Sequence, residues 1–189
     1  MELERKNNDE TNMAGNEVEQ KKHPLLELVQ AIVIAFLIAF VIRTFIFQPF
    51  WVPTTSMVPT LKVDDRIIVN ELFMRYGEIE RGDIMVFRYP LDPDIIYVKR
   101  MIGLPGDTFE IQDDGIYING EQLHEPYLKQ DHSYEQLGPF VIPEGSYFGM
   151  GDNRQYSADS RYWGFIPEDN FIGKAIAIYW PLANAGQIK

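Results

Sequence analysis

The sequence predicts a mainly β protein, with a single N-terminal transmembrane helix followed by an antiparallel β-sheet domain. Two features carry that prediction. One long apolar run, residues 25–42, stands near the N-terminus. After it come short runs rich in β-branched and aromatic residues, punctuated by Gly, Pro, Asp and Asn, with no second long helical period. The averages hide this division, since 46% hydrophobic residues and a mean hydropathy of -0.20 describe an ordinary soluble chain.

Charge divides the same way. The 189 residues hold 17 basic and 28 acidic side chains, a formal net charge of -11. Up to Arg43 there are 5 basic and 7 acidic residues, giving -2, against 12 and 21 beyond it, giving -9. That balance argues against nucleic acid as a partner, because phosphate backbones are bound by clustered Lys and Arg. Cysteine is absent, which excludes a disulfide scaffold, a thiolate metal site and a cysteine nucleophile.

Residues 1–23 mix charges with Asn and Gln and hold almost no large apolar side chains, so they read as a disordered cytoplasmic tail. Residues 24–47 read as the membrane anchor. Within LLELVQAIVIAFLIAFVI, 25 to 42, only Glu27 and Gln30 are polar. At about 1.5 Å per residue this run spans about 27 Å; extension to Phe47, with Arg43 snorkelling, matches a hydrocarbon core of roughly 30 Å. Phe45, Phe47, Phe50 and Trp51 suit the interface beyond it. The run ends in RTFIFQPFWVP, which offers no small-x-small cleavage site, so the helix stays as an uncleaved anchor. Lys21 and Lys22 abut its start, whereas nothing basic follows Arg43 until Lys62. The positive-inside rule then places the N-terminus in the cytoplasm and residues 48–189 outside it, one domain of roughly 150 residues.

In that domain strands are predicted at 65–73, 83–89, 95–102, 108–111, 115–120, 146–150 and 174–180. A DDG turn at 113–115 marks a hairpin, and the NG at 119–120 suggests a second. The polar stretch 121–139, EQLHEPYLKQDHSYEQLGP, reads as a long surface excursion.

Chemistry is constrained by what is scarce. His23 precedes the anchor, and His124 and His132 sit in the excursion, so no histidine is placed as a general base. No metal-ligand cluster, phosphate-binding glycine loop or dinucleotide fingerprint is present, and neither a metal nor a cofactor is expected. In VPTTSMVPT, 52 to 60, two prolines restrain the backbone around Thr54, Thr55 and Ser56; alone, the stretch reads as a rigid linker. In IIYVKRMI, 95 to 102, alternation puts Lys99 on one face with Ile95, Tyr97 and Met101. Desolvation lowers a buried lysine's pKa until it can serve as a general base, although a lysine guarding an edge strand is the commoner use. Between 149 and 164, Asp152, Asn153, Arg154, Ser157, Asp159, Ser160 and Arg161 crowd into GMGDNRQYSADSRYWG, either as a solvated turn or as a paired functional loop. A restrained serine, a strand lysine and a polar loop together suggest a Ser-Lys hydrolase.

These segments resemble a known family. SMVPT at 56–60, DRIIVN at 65–70, RGDIMVF at 81–87, YVKRMIGLPGD at 97–107 and GDNRQYSADSRYWG at 151–164 are similar, in order and spacing, to the motif boxes of the type I signal peptidases, in the short single-anchor form of Gram-positive bacteria. The resemblance implies a β catalytic domain of the signal-peptidase type, with Ser56 as nucleophile and Lys99 as general base. It implies that the Ser157 hydroxyl orients the lysine amine, that Thr54 shares the oxyanion hole with the Ser56 backbone N–H, and that Asp159 and Arg161 form a bracing charge pair. Phe50, Val52 and Val98 match positions that line the substrate pockets. Gln155 and Tyr156 depart from some relatives without touching the catalytic pair. The implied activity is endoproteolytic removal of signal peptides from exported preproteins after a small-x-small site, with preproteins and the lipid bilayer as partners and the chain acting as a monomer. Two other readings are a cytoplasmic self-cleaving Ser-Lys repressor, disfavoured by the anchor and the lack of a DNA-binding helix pair, and a non-catalytic anchored β module that binds exported peptides.

Overall fold

A computed structural model describes residues 24–45, 47–128 and 135–188. The tail expected to be disordered, 1–23, lies outside them, as do residues 129–134 of the expected excursion. The first element, α1, is the helix Pro24–Phe45, 22 residues long, whose large apolar side chains from Leu25 to Phe40 are exposed. Side chains of α1 beyond residue 40 lie outside the described ones, and among the described residues no helix is long and apolar enough to cross a membrane. Contacts separate a unit ending at Ile38 from a second that begins at Ala39.

The second unit is built on strands. The helix expected over 24–47 gives way to β1, Phe47–Trp51, because Pro49 has no N–H for a helix and forces Gln48 into an extended conformation. There follow β2 (Arg66–Asn70), a short α2 (Phe73–Tyr76), β3 (Ile84–Tyr89), β4 (Asp92–Gly103), β5 (Thr108–Gln112), β6 (Gly115–Ile118), β7 (Glu121–Gln122), β8 (Leu137–Val141) and β9 (Ser146–Met150). The chain ends with a short α3 (Ser160–Trp163), β10 (Ile166–Pro167), β11 (Phe171–Trp180) and β12 (Gly186–Gln187). The strand pairings among the described residues are all antiparallel, in two sheets ordered β1-β2-β11-β3-β4-β9-β10 and β7-β6-β5-β8, with β12 on β11.

Period-two alternation explains the cores. Along β3, Ile84 and Val86 join one cluster with Val52, Met57, Leu61, Ile67 and Val69, while Met85 and Phe87 join another with Met101 and Ile166. A strand buried on both faces reads as a continuous apolar run, as IMVF does. A third core lies under the smaller sheet, where Phe109 stacks on Phe140 at 5.4 Å and packs on Phe148 at 4.3 Å. Each fully buried side chain of this kind contributes about 1.5–3 kcal/mol.

This core corrects the excursion predicted over 121–139. Its first two residues form β7, and from Leu137 the chain is β8, drawn inward by Leu137 and Phe140, whose apolar side chains the polar average of the segment concealed. The strand expected over 65–73 stops at Asn70, whose side-chain oxygen accepts from the Phe73 N–H and turns the chain into α2.

Candidate active site

Ser56 sits in the loop after β1. The Val52 N–H donates to the Asp65 carbonyl and the Asp64 N–H donates back to Val52, closing the loop at its base. Met57 and Leu61, both fully buried, peg it into the core on the far side of the serine. Lys99 lies on β4 between β3 and β9, opposite Met85, so it occupies an interior strand rather than an edge. Its residue exposure is 3% and that of Ser56 8%. The Lys99 Nζ donates to Ser56 Oγ at 2.8 Å. Burial is the main cause that lowers the lysine's pKa to about 8; the nearby Asp159 carboxylate opposes the shift and the Arg161 guanidinium adds to it.

Thr54 Oγ1 lies 3.3 Å from Ser56 Oγ. The polar loop 151–161 holds the serine from behind, since the Asn153 N–H donates to the Ser56 carbonyl at 3.0 Å and its Nδ2 to that of Thr55 at 3.1 Å. Gly151 is required by this approach, because a Cβ there would stand 2.2 Å from Ser157 Oγ and 2.4 Å from the Ser56 carbonyl oxygen. Asp159 accepts from Arg161 Nε at 2.8 Å and Nη2 at 2.9 Å, and its other role is to accept from the Gly151 N–H. Asp159 and Arg161 are thus joined as a pair. Ser157 differs from the expectation: its buried Oγ has no hydrogen-bond partner among the described residues, because the Lys99 Nζ is directed at Ser56.

Phe50, Val52 and Val98 come together in a cleft of about 360 Å³ that Thr54, Ser56 and Lys99 also line. Ile67 and Val86 add to its floor, and Ile95, Ile96 and Tyr156 are exposed. Sequence reasoning missed Arg100. It is 2% exposed, and its Nε and Nη2 donate to Asp152 at 2.9 and 2.7 Å, with Thr60 Oγ1 donating to the same carboxylate. A second cation beside Lys99 in an apolar strand was the available signal, since a buried guanidinium needs a carboxylate. His124 is exposed, and His23 and His132 lie outside the described residues. Among the described residues no group of three or more His, Asp or Glu side chains could hold a metal ion.

A serine hydroxyl against a desolvated lysine amine, at the mouth of an apolar cleft in a β sheet, defines a serine hydrolase whose base is lysine. The family described as signal peptidase, peptidase S26, matches residues 25–180, and the chain belongs to that serine peptidase family. The chain is 44% identical over 172 residues to signal peptidase I S of Bacillus subtilis, covering 85% of this chain and 92% of that protein. It is 38% identical over 179 residues to signal peptidase IB of Staphylococcus aureus, with 86% and 93% covered. It is 39% identical over 167 residues to a probable signal peptidase I-2 of Synechocystis, with 85% and 76% covered. A crystal structure of a signal peptidase I from Enterococcus faecalis, 36% identical, covers 51% of this chain and 96% of its own at a TM-score of 0.46.

Proposed function

We propose that this chain is a membrane-anchored endopeptidase that removes signal peptides from exported preproteins, with Ser56 as nucleophile and Lys99 as general base. The 2.8 Å contact between Lys99 Nζ and Ser56 Oγ carries the reading. With the amine neutral, the serine O–H donates to it. Attack of Oγ on the scissile carbonyl then passes the proton to Nζ, which returns it to the leaving amine; water hydrolyses the acyl-enzyme. Thr54 Oγ1, beside the attacking oxygen, and the Ser56 N–H stabilise the oxyanion. Asp159 and Arg161 brace the loop.

Selectivity follows from the apolar cleft around Phe50, Val52 and Val98, which suits small side chains of a small-x-small site. Among the described residues, β9 pairs with β4 only from Arg100 onward, so residues 95–98 offer an edge beside the cleft to an extended peptide. The apolar composition of 24–47 and the lysines before it support a single anchor with the catalytic domain outside the cytoplasm. Accessibility labelling of residues after Trp51 in intact cells checks the orientation.

Wild type, Ser56→Ala and Lys99→Ala are compared on a preprotein in detergent. Each substitution is expected to lower cleavage on the order of a thousandfold or more. Cleavage that survives both sinks the dyad; binding of the preprotein by wild type without cutting favours the non-catalytic module.

A further inference from the structure

The stretch after β7 carries two side chains that the proposed mechanism does not use. Glu125 and Tyr127 turn inward from the small-sheet side of the domain. The Glu125 side chain is 7% exposed and takes both Nη groups of Arg154, itself 1% exposed: Nη1 donates to Oε2 at 2.9 Å and Nη2 to Oε1. The Tyr127 hydroxyl donates to Glu125 Oε1 at 2.6 Å, and its ring lies 3.9 Å from the Arg100 guanidinium carbon. Two buried ion pairs, Arg154 with Glu125 and Arg100 with Asp152, are therefore joined through one tyrosine.

What these groups hold on their other side is the catalytic pair. Arg154 Nε donates to the Gly151 carbonyl at 3.0 Å, and Gly151 is the residue packed without room for a Cβ against the Ser56 carbonyl and Ser157. Asn153, the neighbour of Arg154, donates to Ser56. Arg100 is the neighbour of Lys99 on β4. Nothing solvent-facing would require so complete a burial of a glutamate, because a carboxylate out of water is tolerated only where partners fix it. We propose that Glu125, with Tyr127, is a positioning residue that holds Ser56 and Lys99 in register, through Arg154 and Arg100 respectively. The inference rests on the Ser56–Lys99 reading above.

The test measures steady-state cleavage of a preprotein by the full chain in detergent, for wild type, Glu125→Gln and Tyr127→Phe, with Ser56→Ala as blank. Glu125→Gln keeps the shape and removes the charge that fixes Arg154. Its kcat is expected to fall about tenfold to a hundredfold with KM within about twofold, because the residues lining the cleft are untouched while the reacting atoms lose alignment. Tyr127→Phe keeps the ring on Arg100 and loses only the hydroxyl, so kcat falls less, about threefold to tenfold, in the same sense. Wild-type kcat in both variants, or a raised KM with kcat kept, overturns the proposal. Should Glu125→Gln fail to fold, Tyr127→Phe decides alone by the same two criteria. Cleavage that survives Ser56→Ala overturns instead the dyad reading, and the clamp with it, a result the blank makes distinguishable.

Discussion

Lys99 concentrates the chemistry and its cost. With a pKa lowered to about 8 mainly by burial, the amine is mostly protonated at neutral pH and becomes an effective base above it. We expect kcat/KM on a neutral peptide to rise about tenfold per pH unit below pH ~8 and to level off above it; a flat profile between pH 6 and 9, or an acid optimum, would contradict this. Linkage fixes the sign for stability. Between about 8 and the ordinary lysine value of 10.5 the unfolded chain binds the extra proton, so this residue's contribution to stability rises with pH across that window. At this scale the sequence was legible where a residue's chemistry is unusual for its surroundings, as with Lys99 among Tyr97, Val98 and Met101. It could not settle the contact expected of Ser157 from the resemblance, because that contact depends on where a buried lysine side chain points, and alternation cannot say that.

Between residues and fold stands the loop 151–161, whose charges were expected to be either solvated or paired. They are paired, and with partners far along the chain: Asp152 with Arg100 on β4, Arg154 with Glu125 after β7. Removing one member of a buried pair leaves the other charge without its compensation. Asp152→Ala is therefore expected to destabilise the domain by about 3 kcal/mol, even though Arg100 still donates to the Gly82 carbonyl. Urea unfolding checks it, and a loss under about 1 kcal/mol would mean the loop is held chiefly by its backbone bonds. The strands were legible because each is short, alternating and bounded by turn residues. β1 was hidden because its aromatic residues continue the hydrophobicity of the helix before it, and β8 because two apolar side chains are diluted in a polar window.

At the scale of the molecule, the residues from Phe47 onward enclose all three cores and every member of the proposed site. Net charge beyond Arg43 is -9, enough to keep such a domain soluble. A chain beginning at residue 47 is thus expected to fold as a soluble monomer and to cut a short small-x-small peptide in Ser56-dependent fashion, while cutting membrane-inserted preproteins far more slowly. Loss of the peptide activity on truncation, with the fold intact by circular dichroism, would show that the site itself needs the helix. The hydrophobic run was legible from its length and composition; the division of labour between two sheets was not, since pairings such as Thr108 with Val141 join segments that no local pattern connects.

Among the described residues the edge of β4 left unpaired by β9, residues 95–98, is short. At about 3.3 Å per residue, the peptide site proposed along it would take roughly 13 Å of an extended chain. On that proposal the enzyme collects information from a handful of substrate positions and none from the protein that follows, so unrelated cargoes carrying one leader are expected to be processed alike, and the secreted repertoire could change without any change in the enzyme.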